Sequence, residues 1–203
     1  MTIKTRTGQY PDSFAKYLRP TNMCNFDYGP VRKVANQVTA DATTEYQVLA
    51  SAHEFVSTLR RGVVDERSYA HHILRAQQAH DNTKTTLFVS ITRCAGVPTR
   101  IRAYLVKREE LPHTSKFFPK EVLLLYPEVY YKGSWKLLCS ALNNRSKPDW
   151  SQSPFDDVYG RKQPVKPDAL IKSLGSFWHP DLVFESHSAN TDGWRGKMLK
   201  LFK

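Results

Sequence analysis

The sequence predicts an α+β fold in which N-terminal helices pack on an antiparallel β-sheet. Apolar residues recur at helical spacing through about the first 95 residues, and β-rich runs separated by turns follow from about residue 100. Helices first and strands later are typical of α+β domains. The chain has 203 residues, 40% of them hydrophobic, which is enough for one domain with a substantial core.

The apolar spacing and the end signals predict four helices in the first half of the chain. The second carries a long apolar stripe and ends at Gly62. The fourth begins at Asp81 and stops at Gly96 and Pro98. The predicted helices are a short one after Pro30, then residues 44–61, 68–78 and 81–95.

Three strands are predicted beyond the helices, at residues 100–106, 121–131 and 135–141, with a turn at 132–134 between the last two. Residues 143–166 are rich in Pro, Ser, Asp and Lys, which indicates a long surface loop. The spacing at residues 168–174 predicts a short helix closed by Gly175.

The composition sets limits on partners and location. A net charge of +11 admits nucleic-acid binding, but the charges are spread along the chain and no nucleic-acid-binding motif accompanies them. Residues 186–203 form a basic tail, either a frayed terminus or a segment that binds a partner or an acidic surface. With no apolar run long enough to span a membrane and no signal-peptide core, we expect a cytoplasmic protein.

Neither the cysteines nor the histidines form a metal-binding pattern. Cys24, Cys94 and Cys139 are widely spaced and odd in number, so we expect three buried thiols rather than disulfides. The adjacent His71 and His72 lie about 100° apart on a helix and cannot easily share one ion. The sequence therefore predicts no metal and no cofactor.

Five short motifs follow one another over most of the chain. They are residues 17–21 (YLRPT), 25–30 (NFDYGP), 93–100 (RCAGVPTR), 127–130 (PEVY) and 133–136 (GSWK). Their order and spacing resemble the short stand-alone members of the transglutaminase-like family, whose core is papain-like. The resemblance implies a domain at residues 17–185, an N-terminal extension at 1–16 and the basic tail at 186–203.

The family's catalytic triad does not carry over to the matching positions of this chain. The resemblance places the nucleophilic cysteine of the family at the start of the fourth helix, where this sequence has Asp81. The family's histidine falls on Leu124, and its third member falls on Cys139. The resemblance thus implies the fold without the conventional Cys-dependent transglutaminase or protease chemistry.

Several residues remain candidates for a site. Asp81 either caps its helix or acts as a base in a surviving cleft, and His80 either shares that cleft or is an exposed loop histidine. Cys139 is either a relocated nucleophile or an inert buried thiol. Tyr126 and Glu128 would bind a ligand if their strand face lines the cleft, and are otherwise ordinary polar positions.

Three functions are compatible with these features. The preferred one is a pseudoenzyme that binds an unknown small molecule or protein partner in or near the former active-site cleft. The alternative is an enzyme that performs acid–base chemistry on a small molecule, a cyclisation, isomerisation or hydrolysis, with Asp81 as the base. The third is a basic structural or nucleic-acid-associated protein, suggested by charge alone.

Overall fold

The computed structural model describes residues 10–62, 64–65, 68–110, 120–138, 170–178 and 183. The four α-helices in this part of the chain are α1 (Gly29–Val38), α2 (Glu45–Thr58), α3 (Ala70–Ala76) and α4 (Asp81–Cys94). The strands are β1 (Arg60–Arg61), β2 (Gln78–Ala79), β3 (Thr99–Lys107), β4 (Glu121–Tyr131), β5 (Ser134–Leu137) and β6 (Leu170–Phe177). Two 3₁₀ helices span Asp12–Leu18 and Arg108–Glu110.

An antiparallel sheet with the order β5-β4-β3-β6 forms one layer, and the helices form the other. One apolar cluster lies between α4 and the other three helices and includes Leu49, Ile73 and Phe88. A second cluster joins α4 to the sheet through Val89, Ile101 and other buried residues. The predicted α+β class, with helices packed on an antiparallel sheet, is confirmed.

Helix α4 is buried on all sides rather than on the single inward face that its apolar residues predict. Its twelve buried residues run from Asn82 to Arg93 and include several Thr and Ser. The hydroxyls are satisfied inside the helix, because Ser90 donates to the Thr86 carbonyl at 2.8 Å and Thr92 to the Phe88 carbonyl at 2.9 Å. A polar helix therefore serves as the centre of the domain.

Arg93 ties the end of α4 to three other segments. Its side chain is only 2% exposed. Its Nε donates to the Thr99 carbonyl at 2.8 Å, one Nη donates to the Arg19 carbonyl at 3.1 Å, and the other donates to the Trp178 carbonyl. The planar fork of donors explains why an arginine suits this position.

One predicted helix ends at the wrong residue, and another predicted helix is a strand. The second helix ends at Thr58, not at residue 61, because Arg60 and Arg61 pair in parallel with β2. A Cβ at Gly62 would come within 2.3 Å of the Gln78 side chain, so glycine permits that close approach.

The second error is at residues 168–174, where a helix is predicted. Leu170–Phe177 is instead a strand paired with β3. The predicted loop at residues 143–166 and the last residues of the predicted third strand, 139–141, lie outside the described residues. Gly175 has φ +94° beside a register shift, so it serves a bulge rather than a helix end.

Candidate functional site

The start of α4 is built by the residue before it. His80 has an extended backbone (φ −106°, ψ 177°), and its N–H donates to Thr83 Oγ1 at 2.9 Å, so His80 is the N-cap. Asp81 is the first residue inside the helix. The expectation that Asp81 itself caps the helix is therefore wrong, although its carboxylate still lies at the positive end of the helix dipole.

The first turn of α4 is anchored to β4 by Asn82. Its amide donates to the Leu123 carbonyl at 2.9 Å and accepts from the Leu125 N–H at 3.0 Å. Among the described residues, β5 pairs with β4 from Glu128 to Tyr131, and Asn82 supplies the hydrogen-bond partners of Leu123 and Leu125 farther along β4. The start of α4, which contains Asp81, therefore lies against the part of β4 that contains Leu124.

Leu124 is buried on the sheet face that points away from α4, since Leu123 and Leu125 pack with Val89 of that helix. Strand alternation places its side chain on the sheet face opposite Leu123 and Leu125, together with its cross-strand partner Tyr104. Leu124 and Tyr104 are each 8% exposed. The ring of Tyr104 packs edge-on against the half-buried Tyr126, with centroids 5.8 Å apart. The position that the resemblance gives to a histidine is thus part of an aliphatic and aromatic surface.

Four titratable groups gather around the first turn of α4. Burial lowers the pKa of His53 to about 4, with a contribution from the nearby Lys84 charge. Burial also lowers the pKa of Lys84, and the Asp81 carboxylate opposes that change. The pKa of His80 is lowered by burial, against the effect of its 2.9 Å hydrogen bond to the Val64 carbonyl. His80 is therefore half-buried and not the exposed loop histidine of the alternative interpretation.

Sequence reasoning missed His53 and Lys84. Both are almost fully buried, at 1% and 2% exposed. His53 follows Leu49 by four positions on the inward face of α2, and Lys84 follows Asp81 by three positions on α4. These spacings were the available signal, since charged or titratable residues on a buried helix face are uncommon.

Glu128 is held by the sheet rather than left open. Its carboxylate, 4% exposed, pairs with Arg100 Nε at 2.6 Å and with Arg102 Nη2 at 2.7 Å, and Ser176 Oγ donates to it at 2.6 Å. The hydrogen bonds from Arg102, Ser176 and Arg100 lower the pKa of Glu128 against the effect of burial. The guanidinium of Arg100 also stacks over the Trp135 ring at 4.0 Å. Arg100 therefore serves the fold as a local ion-pair partner of Glu128.

The described thiols lie away from the start of α4. Cys24 is fully buried, and its Sγ donates to the Thr86 carbonyl at 3.5 Å. Cys94 is the last residue of α4, and burial raises its pKa. Cys139 lies outside the described residues.

The described surface has grooves elsewhere. One of about 630 Å³ is lined by residues of α1, α2 and α3 and the segments that follow α2 and α3. Another of about 460 Å³ lies between residues 20–27 and α3. Neither is lined by Asp81, Leu124, Tyr126 or Glu128. Within the described ranges, no three His, Cys, Asp or Glu side chains could hold a metal ion. No described helix has the length and apolar character needed to cross a membrane.

The core sequence profile of the transglutaminase-like superfamily matches residues 32–138, more than half of the chain. The chain belongs to the transglutaminase-like superfamily. No curated protein matches the sequence significantly.

One solved structure supports the fold, and a second is less similar. A candidate cysteine protease from Cytophaga hutchinsonii is similar over 87% of this chain and 50% of that chain, with a TM-score of 0.59 and 12% sequence identity. A candidate protease from Parabacteroides distasonis is similar over 66% of this chain and 26% of that chain, with a TM-score of 0.42 and 14% identity. The chain spans half the length of the first structure and about a quarter of the second.

Proposed function

We propose that this transglutaminase-like domain acts by binding rather than by thiol-dependent acyl transfer. In this proposal it is a pseudoenzyme that holds a small molecule or a protein partner in or near the cleft at the start of α4. One observation carries the proposal. Helix α4 begins at Asp81, so a carboxylate occupies the position where the resemblance places the nucleophilic cysteine of the family. The neighbouring Asn82 anchors this end of the helix to β4.

The chemistry of the described thiols supports this. A catalytic thiol must be accessible and must ionise easily, which positive charge or a helix N-terminus promotes. Cys24 is 0% exposed. Cys94 lies at the C-terminal end of α4, where the helix dipole and burial both disfavour a thiolate. A carboxylate at position 81 cannot form the thioester on which acyl transfer by this family depends.

Leu124 supports a binding role for the same reason. An aliphatic side chain neither accepts nor donates a proton, and this one is packed beside Tyr104 with 8% of its surface exposed. Asp81 would supply charge recognition, with His80 and Lys84 within its electrostatic reach. Tyr126 is the further ligand contact predicted from the sequence, and Cys139 at the third position remains a candidate thiol. Glu128, the other predicted contact, is already held by Arg100, Arg102 and Ser176.

A second candidate function is acid–base catalysis with Asp81 as the base. It is favoured by the lowered pKa values of His53 and Lys84, because strongly perturbed titratable groups cluster at catalytic sites. The reaction would be a cyclisation, isomerisation or hydrolysis of a small molecule. This alternative requires that the compound bound at Asp81 be chemically changed.

Native mass spectrometry of gently purified protein tests the proposal. The wild type is compared with Asp81→Ala and with the control Asp41→Ala, which removes a carboxylate from an exposed turn. We expect a bound molecule or partner to be retained by the wild type and by Asp41→Ala but lost from Asp81→Ala. Prior alkylation with iodoacetamide should leave the retention unchanged. An empty wild type, or loss of the bound species on alkylation, would contradict the proposal.

The same preparation separates the two candidate functions. The retained compound is incubated with wild type and with Asp81→Asn, which keeps the side-chain size and removes the base. Conversion by the wild type alone would favour the enzyme, and an unchanged compound in both samples would favour the binding protein.

A further inference from the structure

A second groove, made by none of the residues around Asp81, has the features of a binding site. It has a volume of about 460 Å³ and is lined by Pro20, Thr21, Asn22, Asn25, Asp27, Tyr69 and His71. None of these residues belongs to α4 or to the sheet. We define this set as the Asn25 groove.

The walls of the Asn25 groove are held in place by the core. Met23 and Cys24, in the middle of residues 20–27, are buried at 1% and 0% exposed. The Met23 carbonyl accepts from the Ala70 N–H at 2.8 Å, which joins this segment to the start of α3. Cys24 N–H also donates to Thr21 Oγ1 at 3.1 Å. The groove is therefore preformed rather than shaped by a loose loop.

An unsatisfied polar atom points to a missing ligand. Asn25 Oδ1 is buried from solvent and has no hydrogen-bond partner among the described residues. The other end of the same amide, Nδ2, donates to His71 Nδ1 at 2.6 Å, so His71 is neutral with its proton on Nε2. A buried amide oxygen without a donor costs free energy, and most such groups in proteins are paired. Because this oxygen has almost no accessible surface, the Asn25 amide must turn slightly toward the groove for a ligand donor to satisfy it.

Aromatic rings border the groove. The large hydrophobic residues that are exposed in the described part of the chain are Tyr28 and Tyr69, at 51% and 41% exposed. Their rings flank His71, with centroid distances of 5.0 Å for Tyr28 and 5.7 Å for Tyr69. Exposed tyrosines beside a concave polar surface are typical of ligand contacts.

The charge of the groove selects a cation. Asp27 is exposed, and it makes no ion pair with any described residue. It is the only acidic or basic residue in the lining, since His71 is neutral.

A guanidinium group satisfies all three features at once. Its N–H donors lie in the plane of the group, so it can stack on a tyrosine face while donating sideways to a carboxylate and to an amide oxygen. An alkylammonium lacks a flat face and cannot do both. We propose that the Asn25 groove binds a guanidinium group, stacked on Tyr69 and donating to Asp27 and to Asn25 Oδ1. The group would come from an arginine side chain of a polypeptide or from a free guanidino compound.

An NMR titration of the full chain with methylguanidinium tests this proposal. We expect saturable shifts of the backbone amides of Asn25, Asp27 and His71. Propylammonium, which has the same charge without the planar donors, should bind at least about tenfold more weakly. Asp27→Asn should weaken methylguanidinium binding about tenfold, and the control Asp41→Asn should leave it unchanged.

A second variant and a second probe complete the test. Tyr69→Leu removes the stacking ring and should also weaken binding. A blocked arginine (acetyl-arginine methylamide) that binds much more tightly than methylguanidinium would indicate a polypeptide ligand, and equal binding would indicate a free guanidino compound. Absence of saturable shifts, equal binding of propylammonium, or full binding by Asp27→Asn would overturn the proposal.

Discussion

Replacing His53 by glutamine should make the stability of the fold much less sensitive to mild acid. His53 is 1% exposed on α2, and burial together with the nearby Lys84 charge lowers its pKa from 6.5 to about 4. In the unfolded chain the same imidazole takes up a proton near its ordinary pKa. Between those two values the unfolded state binds more protons than the folded state, so stability falls as the pH is lowered.

The magnitude follows from the two pKa values. The full shift from 6.5 to about 4 corresponds to an upper limit of about 3 kcal/mol of unfolding free energy. Between about pH 7 and about pH 5 the unfolded imidazole becomes almost fully protonated while folded His53 stays neutral, which costs about 2 kcal/mol. Glutamine does not titrate, so His53→Gln should lack this loss.

The assay is urea unfolding of wild type and His53→Gln at about pH 7 and about pH 5, followed by circular dichroism. His53→Gln can be less stable than the wild type at both pH values, because its buried contacts change. That effect cancels when the quantity compared is the loss of unfolding free energy between the two pH values within each protein. Glutamine at the exposed His72 is the matched control and should leave the wild-type pH response unchanged. Equal losses in wild type and His53→Gln would refute the reasoning.

Two further predictions concern the sheet. Asn82→Ala removes both hydrogen bonds that the Asn82 amide makes to β4. It should lower the unfolding free energy measured in urea titrations by about 2–4 kcal/mol. The control Asn36→Ala, at an exposed position, should change it by less than about 0.5 kcal/mol. Glu128→Gln should lower the unfolding free energy by about 1–2 kcal/mol at neutral pH, because Arg100 and Arg102 both lose the negative charge that they pair with. Since the pKa of Glu128 is lowered, this difference should shrink as the pH falls below about 4.5, and a constant difference down to pH 3 would contradict it.

The sequence was most informative where local signals and the tertiary fold agree. Helix α4 begins at Asp81 as predicted, and β4 spans Glu121–Tyr131 as predicted. Both have clear boundaries in the sequence, namely Gly96 and Pro98 after α4 and the turn at Lys132 and Gly133 after β4. The order and spacing of the five short motifs also indicated the family, because that spacing reflects how the helices and strands pack.

The errors arose where tertiary pairing decides the conformation. Leu170–Phe177 becomes a strand because the edge of β3 supplies hydrogen-bond partners that a local helix signal cannot reveal. The helical spacing of His53 and Lys84 indicates the face on which each lies, but their burial also requires α2 to pack against α4, which no local signal specifies. The role of Asn82 likewise depends on a tertiary contact, that of α4 with β4.

The most direct test of the central claim is the thiol pKa of Asp81→Cys, measured from the pH dependence of iodoacetamide alkylation and read site by site by peptide mass mapping. We expect a pKa below the ordinary value of about 8.5, because position 81 opens α4, where the resemblance places the nucleophile of the family. Cys94 in the same sample is the internal control, with a pKa raised by burial. A thiol at position 81 that titrates like Cys94 would contradict the assignment of Asp81 to the nucleophile position.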